Sequence, residues 1–448
     1  MTRALLVGLA ACTSAAAPFP EPPRLVDTNP DPAIVEVGLV AEPGQVELLP
    51  GKLADVWTFR DAAAPRGTIP GPLLEANVGD RIVVHFANHL PDPTTVHWHG
   101  MRVPNAADGT PIAQLMVDPG GTYDYAFTAT DAGLYWYHPH MEADVQIERG
   151  LYAPILIHGP VEPAVAADRV LVLDDVKLEA SGQLSTVTNE LDIMLGRQGN
   201  VLLVNGVVRP PLEVAAGARE RWRFVNVANG RYFNLDLPGH RFLVIGWDGG
   251  PLPAPYETDT LLIAPGERYD VLVELAADTS LRTLHYDRGH DIPDPGPLEL
   301  VPIHVGAPAA APPALPTTWG EVAPLPVDAA TPVVQLVLAE QDPGNVEPTF
   351  SINGERYPDV TPTLGARGAL AIWELVNTAE MDHPFHLHGM EFQVLGAATL
   401  GWKDTVNVPQ KQTLRFAVRY DADGRWMYHC HILEHAERGM MGELTVAP

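Results

Sequence analysis

Three ten-residue stretches of the chain follow one pattern: GDRIVVHFAN at Gly79–Asn88, GARERWRFVN at Gly217–Asn226 and GALAIWELVN at Gly368–Asn377. Each stretch runs from a glycine to an asparagine, and apolar residues tend to recur at every second position between them. This period of two is typical of a β-strand with one buried face. A turn rich in glycine and proline precedes each copy. A pattern that recurs three times at long intervals predicts three homologous domains in tandem.

The composition agrees with domains made of strands. At 448 residues the chain is longer than one ordinary domain of about 100–200 residues. Its 45 prolines and 39 glycines disfavour long helices and favour short strands joined by turns. We predict an all-β fold with three β-sandwich or barrel domains, at residues 35–160, 168–305 and 333–448. The segment 306–332 holds seven prolines and is predicted to be a linker.

The N-terminus has the pattern of an export signal. Met1–Arg3 is a short charged start, Ala4–Ala11 is apolar, and small residues follow Cys12. We predict a signal peptide at 1–12 and a tether at 13–34. The four residues that end at Cys12 resemble the lipobox of bacterial lipoproteins, in which the cysteine is acylated. We expect an exported protein, periplasmic or anchored to the membrane by an N-terminal lipid, with plain secretion or a misplaced start codon as the alternatives.

Charge and cysteine content exclude several classes of protein. The 28 basic and 56 acidic residues give a net charge of −28, which repels phosphate backbones, so nucleic acid is not an expected partner. The two cysteines are Cys12 and Cys430, so a disulfide framework cannot hold the domains together. No apolar run reaches the roughly 18 residues that a membrane-spanning helix needs. We expect a monomer with a soluble, globular body.

Histidines recur in pairs that are separated by one residue. Because positions i and i+2 of a strand face the same side, each pair can present two imidazoles to a metal ion. One such pair alone would more often be a solvated strand face, but four pairs in two repeat copies favour metal binding. The middle copy has Leu235 and Leu237 where the first copy has its first pair. The four pairs are His97 and His99, His138 and His140, His386 and His388, and His429 and His431.

Cys430 lies between His429 and His431, so strand alternation directs its sulfur away from both imidazoles. A second metal site on the sulfur side would need ligands of its own. One thiolate, two imidazoles and a thioether are the ligand set of a blue-copper electron-transfer centre. A zinc site could use cysteine and histidine but would not need a weak axial methionine. The candidate partners of the sulfur are His383, His435 and Met440.

Together these motifs resemble the four copper-binding signatures of the multicopper oxidases. The likeness covers roughly residues 35–448, and the phrase Pro265–Asp270 is similar to the branch of three-domain bacterial laccases and copper-efflux oxidases. The four signatures are His-Trp-His-Gly at 97–100, Tyr-His-Pro-His at 137–140, His-Pro-Phe-His-Leu-His-Gly at 383–389, and His-Cys-His-Ile-Leu-Glu-His at 429–435 with a methionine five residues later.

The resemblance implies three cupredoxin-like Greek-key domains and four copper ions per chain. A trinuclear cluster would lie between the first and third domains, and the middle domain would bind no copper. The type 1 ligands would be His383, Cys430, His435 and Met440. The type 2 ligands would be His97 and His386. The type 3 ligands would be His99, His138, His140, His388, His429 and His431.

The resemblance also implies the reaction. Phenols and low-valent metal ions give one electron at a time, whereas reduction of O2 to water takes four, which four copper ions can hold. We therefore expect a laccase-like oxidase that uses O2 and a small-molecule or metal-ion reductant, with Asp108, Cys430 and His435 as catalytic residues. Bacterial relatives often carry a second acid directly after the last histidine, and this position is Ala436 here. Glu434 and Glu437 are the candidates to replace that acid.

Two other functions stay open from the sequence. One is a metallo-oxidase for Cu(I), Fe(II) or Mn(II) in metal tolerance. The chain has ten methionines and no methionine-rich segment, which counts against a dedicated cuprous oxidase and predicts an open edge at the type 1 site. The other is a non-enzymatic copper-binding or structural cupredoxin protein. Such relatives lose ligands, whereas the full ligand set is present here.

Overall fold

The computed structural model describes residues 18–290, 292–317, 319–341 and 347–448 of the chain. In that part the chain forms 29 strands and only short helices, which confirms the predicted all-β class. None of the described helices has the length and apolar character needed to cross a membrane. The predicted signal peptide at 1–12, with Cys12, lies outside the described residues, as do residues 13–17 of the predicted tether.

The first eight strands form two sheets around one core. They are β1 (Ile34–Leu49), β2 (Lys52–Asp61), β3 (Leu74–Asn77), β4 (Arg81–Asn88), β5 (His97–His99), β6 (Thr122–Thr128), β7 (Gly133–His138) and β8 (Ala153–His158). The sheets have the strand orders β2-β1-β4-β6 and β3-β8-β7-β5. Val84 from the first sheet and Trp98 and Tyr137 from the second lie in a single apolar cluster. This part of the chain is therefore a two-sheet sandwich.

The middle part repeats this arrangement with longer sheets. Its strands are β9 (Ala167–Val176), β10 (Val201–Val204), β11 (Leu212–Ala216), β12 (Arg219–Asn226), β13 (Phe233–Asp236), β14 (Phe242–Trp247), β15 (Gly250–Thr258), β16 (Thr260–Ile263), β17 (Arg268–Glu274), β18 (Thr279–Leu284) and β19 (Leu298–Pro308). The two sheets have the orders β10-β9-β12-β17-β14-β15 and β11-β19-β18-β13-β16. Leu235 and Leu237, which replace a histidine pair, are buried in the core between them.

The last part forms the third pair of sheets. Its strands are β20 (Val333–Gln341), β21 (Thr349–Ile352), β22 (Thr363–Ala366), β23 (Leu370–Asn377), β24 (His383–Leu387), β25 (Phe392–Val394), β26 (Thr405–Val408), β27 (Thr413–Arg419), β28 (Gly424–Cys430) and β29 (Met441–Ala447). The orders are β21-β20-β23-β27-β25 and β22-β29-β28-β24-β26. Short helices lie in connections of the chain: a 3₁₀ turn (Asn105–Ala107), α1 (Ala143–Gln146), α2 (Glu190–Leu195) and α3 (Leu433–Glu437).

The three sequence repeats occupy the same place in their sheets. Strand β4 pairs in parallel with β1 and antiparallel with β6. Strand β12 has the same neighbours in the middle part, β9 in parallel and β17 antiparallel. Strand β23 lies in the same way between β20 and β27. The repeated pattern therefore marks the equivalent central strand of each sandwich.

The asparagine that ends each repeat closes the loop after this strand. Asn88, Asn226 and Asn377 are all buried, and the side-chain amide of each donates to two main-chain carbonyls. The side-chain oxygen of each accepts from the main-chain N–H two residues further on. Since a buried loop must have its polar main-chain groups paired, the asparagine recurs for a structural reason.

The predicted domain boundaries at 160, 168, 305 and 333 stay a prediction. The strands of each pair of sheets lie within those limits, except that β9 begins at Ala167 and β19 ends at Pro308. The described part of the predicted tether differs from a free linker, because it is hydrogen-bonded to the body. Leu25 N–H donates to the Leu73 carbonyl at 2.9 Å, and the Asn205 amide donates to the Pro20 carbonyl at 2.8 Å. Main-chain groups in this segment find partners on the domains instead of water.

Candidate metal centres

Two antiparallel strand pairs bring the histidine pairs together. Strand β5 pairs with β7 so that His97 lies opposite His138, and β24 pairs with β28 so that His386 lies opposite His429. Because side chains alternate along a strand, the partner at i+2 of each histidine faces the same side. Eight imidazoles from the first and third parts of the chain therefore meet at one place, and all eight are buried.

The rings approach one another closely. The Nε2 atom of His429 lies 3.1 Å from Nε2 of His388 and 3.3 Å from Nε2 of His140. The rings of His99 and His386 are stacked with centroids 3.8 Å apart, and the centroids of His97 and His388 are 4.0 Å apart. Each of these contacts except that between His388 and His429 joins the first domain to the third. The cluster therefore exists only where the two domains meet.

Main-chain carbonyls fix the orientation of four of the rings. A carbonyl can only accept a hydrogen bond, so the Nδ1 atom that faces it carries the proton. The lone pair of Nε2 is then free to bind a metal ion. His97 Nδ1 donates to the carbonyl of Asp108 at 2.7 Å, and His386 Nδ1 donates to that of Asp404 at 3.0 Å. His138 and His429 donate in the same way to the carbonyl of the next residue, at 2.8 and 2.9 Å.

Burial favours the neutral, metal-binding form of seven of the eight imidazoles. Burial lowers the pKa of His140 to about 3, and the neighbouring imidazoles lower it further. The pKa values of His99, His138, His386, His388, His429 and His431 are also lowered, in each case mainly by burial. Neutral imidazole is the ligand form of histidine, so the lowered pKa values of these seven residues favour metal binding.

Asp108 connects both halves of the cluster. Its main-chain carbonyl accepts from His97. Its carboxylate oxygens lie 3.2 and 3.3 Å from Nδ1 of His388. The hydroxyl of Thr110 donates to the same carboxylate at 2.9 Å. The following residue, Gly109, has a φ of +77°, and a Cβ there would collide with the main chain of Val96. The turn therefore places a buried carboxylate against the cluster.

Cys430 points to the opposite side of β28 and forms the second centre. Its Sγ lies 3.5 Å from Nδ1 of His383 and 3.7 Å from Nδ1 of His435, and the two nitrogens are 3.2 Å apart. Burial raises the pKa of the Cys430 thiol, so a bound metal ion must supply the charge that stabilises the thiolate. Met440 is buried beside these ligands, and its main chain bonds to Cys430 and His435, each at 3.0 Å.

The edge of His435 is covered, so the expectation of an open type 1 edge is wrong. His435 is fully buried, and its Nε2–H donates to the carbonyl of Met194 at 3.1 Å. Met194 lies in α2, a helix of the middle domain that packs against α3. On another side, the ring of Phe350 stacks on the imidazole with centroids 3.9 Å apart. A helix of the middle domain thus covers the edge of His435, although the chain has no methionine-rich segment.

Two further residues of the site did not stand out in the sequence. The carboxylate of Asp404 lies 3.3 Å from Nε2 of His99 and 3.4 Å from Nδ1 of His386. Burial would raise the pKa of this carboxyl, but the guanidinium of Arg268 and its hydrogen bonds hold it well below the usual range. Arg268 lies in the sequence Pro265–Asp270 and is the first residue of β17, and its membership of that family-like sequence was the one available indication. Asp404 has no such sequence pattern around it.

Several buried nitrogens of the cluster have no protein partner. Among the described residues, Nε2 of His97, His138, His386 and His431 and Nδ1 of His99 and His431 make no hydrogen bond. A buried polar atom without a partner costs about 1–3 kcal/mol. Metal coordination would satisfy these atoms, and imidazole ligands together with a thiolate suit copper. The residues present therefore fit a copper centre on each side of Cys430.

Comparison with known proteins gives the same result. Models of the multicopper oxidase family match residues 44–162, 175–282 and 327–448. A multicopper oxidase of Mycobacterium tuberculosis is 32% identical, with 92% of this chain and 86% of that protein aligned. The structure of a Campylobacter jejuni multicopper oxidase, described as a metallo-oxidase, matches with a TM-score of 0.86 at 28% identity, over 96% of both chains. A laccase structure from Pediococcus acidilactici matches with a TM-score of 0.85 at 30% identity, over 97% of this chain and 94% of that one. The cupredoxin-like fold and the copper cofactor are thereby confirmed, and the chain belongs to the multicopper oxidase family of copper-dependent oxidoreductases.

Proposed function

We propose that this chain is a laccase-like oxidase, in which Cys430 carries electrons from a donor site to the histidine cluster. The type 1 copper would be held by His383, Cys430, His435 and Met440. The type 2 copper would be held by His97 and His386. The type 3 pair would be held by His99, His138, His140, His388, His429 and His431. When bound, copper supplies one-electron acceptance at the first site and reduction of O2 at the cluster.

The observation that carries this proposal is the position of Cys430 between two ligands of the other site. Its sulfur faces His383 and His435, while His429 and His431, joined to it by peptide bonds, face the cluster. A few covalent bonds thus connect the two centres. In one turnover four donors each lose one electron, and one O2 takes up the four electrons and four protons to give two molecules of water.

Asp108 is the proposed proton carrier at the cluster. Its carboxylate is buried and lies within reach of His388, so it can hold a proton close to where O2 is reduced. The candidates for a second acid lie elsewhere on α3. Glu437 accepts from the main chain of Ala143 at 2.8 Å, and Glu434 accepts from Asn229 at 2.9 Å. Among the described residues, neither of these acids is hydrogen-bonded to a cluster histidine.

The donor that we favour is a small phenol or aromatic amine, in keeping with the absence of a methionine-rich segment. A metal ion such as Cu(I), Fe(II) or Mn(II) is the second candidate, and the covered edge of His435 supports it. Because the carbonyl of Met194 already accepts from the Nε2–H of that buried ligand, a bulky donor cannot touch the ring itself. The electron must then pass through the helix, or the helix must move.

Oxygen uptake measured with several donors tests this proposal. The copper-loaded enzyme is given a dimethoxyphenol, Cu(I), Fe(II) or Mn(II) in parallel, with and without added Cu(II). We expect turnover of the phenol without added Cu(II). Negligible phenol turnover until Cu(II) is added, together with rapid oxidation of Cu(I), would replace the laccase proposal with the cuprous-oxidase one. Cys430→Ser is the control, because it should lose the blue absorption and all turnover while the cluster still binds copper.

We also propose that the protein is exported and attached to a membrane through a lipid on Cys12. The charged start, apolar run and lipobox-like residues before Cys12 support this proposal. A monomeric state is proposed with it. Mass spectrometry of the mature N-terminus and fractionation of cells that express Cys12→Ala test the attachment. Release of that variant from the membrane fraction is expected, and an unmodified mature cysteine would contradict it.

A further inference from the structure

Arg288 is a buried arginine between the middle and third domains, and its charge has no counter-ion in the part of the chain that is described. The residue is 2% exposed. Its Nη1 donates to the carbonyl of Gly230 at 2.7 Å, and its Nη2 donates to the carbonyl of Leu195. Both acceptors are neutral, and the third neighbour of the guanidinium is the neutral ring of Tyr232, whose centroid is 5.4 Å away. A buried charge without a paired opposite charge is costly to folding. Such a residue requires an explanation from function.

The main-chain contacts of Arg288 place it beside both imidazoles of the Cys430 site. Its own carbonyl accepts from the N–H of Asp382 at 2.8 Å, and Asp382 directly precedes His383. On the other side, Nη2 donates to the carbonyl of Leu195. The carbonyl of the preceding residue, Met194, accepts from His435. Arg288 therefore contacts both segments that position the histidine ligands: its main-chain carbonyl binds the residue before His383, and its guanidinium binds the residue after Met194.

The charge of Arg288 reaches these ligands. Burial is the main cause of the lowered pKa of His383 and His435, and the Arg288 charge lowers both values further. The same charge opposes the effect of burial on the Cys430 thiol. Burial lowers the pKa of Arg288 itself to about 10, which leaves the guanidinium charged at neutral pH.

We propose that Arg288 raises the reduction potential of the copper ion held by Cys430, His383 and His435. A fixed positive charge that acts on the ligands disfavours the doubly charged Cu(II) more than Cu(I), and the low polarity of the buried site leaves this effect poorly screened. Arg288 would thereby make the site a stronger oxidant for its donor. The inference rests on the proposed assignment of these residues as copper ligands.

Acidic residues near the site act in the opposite direction, and each has another partner. Glu340, whose charge acts on His383, lies 3.0 Å from the imidazole of His290. Asp382 accepts from the hydroxyl of Tyr286 at 2.7 Å. Glu434 accepts from the side-chain amide of Asn229 at 2.9 Å. Removing Glu340 and removing Arg288 should therefore shift the potential in opposite directions.

A redox titration of the blue absorption tests the proposal with copper-loaded enzyme. In Arg288→Met the Cu(I)/Cu(II) ratio at a fixed mediator potential should fall by about tenfold, which is about 59 mV for a one-electron couple. Arg288→Lys keeps the charge and should retain most of the potential. Glu340→Gln keeps an acceptor oxygen and should raise the potential. Arg209→Met removes an exposed charge and should change nothing.

An unchanged potential in Arg288→Met with intact blue absorption would overturn the proposal. Equal losses in the Met and Lys variants would also overturn it, because the effect would then come from packing and not from charge. If Arg288→Met does not fold, Arg288→Gln, which retains an N–H donor, takes its place, and Glu340→Gln tests the sign independently. Absence of blue absorption from the unmodified protein would instead refute the ligand assignment itself.

Discussion

Arg268 of the middle domain and Asp404 of the third form a buried two-point ion pair, with nitrogen to oxygen distances of 2.7 and 2.6 Å. The same carboxylate lies beside His99 and His386. Arg268 also donates to the Leu134 carbonyl of the first domain at 3.0 Å. The middle domain has no histidine pair of its own. Its Arg268 side chain nevertheless contacts both the first and the third domain, which together form the cluster.

Replacing Arg268 by methionine should strongly destabilise the assembled protein. The substitution leaves Asp404 buried without its counter-ion, and breaking a buried pair in this way costs about 3–5 kcal/mol. Urea unfolding followed by tryptophan fluorescence gives the loss. The control is Arg209→Met, which breaks an ion pair to Glu299 on an arginine that is 61% exposed and should cost less than about 1 kcal/mol. Similar losses in the two variants would mean that the Arg268 pair contributes no more than a surface pair.

The sequence could predict contacts within short motifs but not contacts between residues that are far apart in the chain. The paired histidines belong to short contiguous motifs, and strand geometry alone places i and i+2 on one side. The pair of Arg268 and Asp404 joins residues 136 positions apart in different domains, and no local sequence pattern links the two. The repeat pattern likewise revealed three equivalent strands but not why each ends in asparagine.

The cover over His435 shows the same limit. The group that contacts the imidazole is a main-chain carbonyl of Met194, 241 positions away, and every residue type has such a carbonyl. The methionine count of the sequence therefore could not reveal whether the edge is open. Only the packing of α2 against α3 decides it.

Replacing Met440 by leucine should raise the reduction potential at the Cys430 site. A weak axial donor stabilises Cu(II) more than Cu(I), so its loss favours the reduced ion. We expect a shift on the order of tenfold in the Cu(I)/Cu(II) ratio, about 59 mV. Redox titration of the blue absorption measures it, and leucine keeps the volume that the buried side chain occupies. No shift would mean that Met440 is only a packing residue.

Replacing Asp108 by asparagine should slow O2 reduction without removing copper. The main-chain carbonyl that holds His97 is retained, whereas the amide cannot carry a transferable proton. General acid catalysis contributes about 10²–10⁴-fold, so we expect kcat to fall at least about 100-fold. Stopped-flow reduction by a phenol without O2 should be unaffected, and copper content should stay at the unmodified level. Loss of copper in this variant would show that the carboxylate has a structural role at His388 instead.

Loosening α2 should favour bulky donors over small ones. Asn189 caps this helix: its side chain accepts from Asp192 N–H at 2.9 Å, and its own N–H donates to the Asp192 carboxylate at 3.1 Å. Asn189→Ala removes the first of these bonds and costs the helix about 0.5–2 kcal/mol. If a bulky phenol needs α2 to move away from His435, a change of about 1 kcal/mol should raise its kcat/KM about fivefold.

Oxidation of Cu(I), which is small enough not to need the movement, should change much less, and Asn189→Asp should restore the cap and the original ratio. Steady-state rates for both donors in the three proteins measure the effect. An equal change for phenol and Cu(I) would show that α2 does not control access to His435.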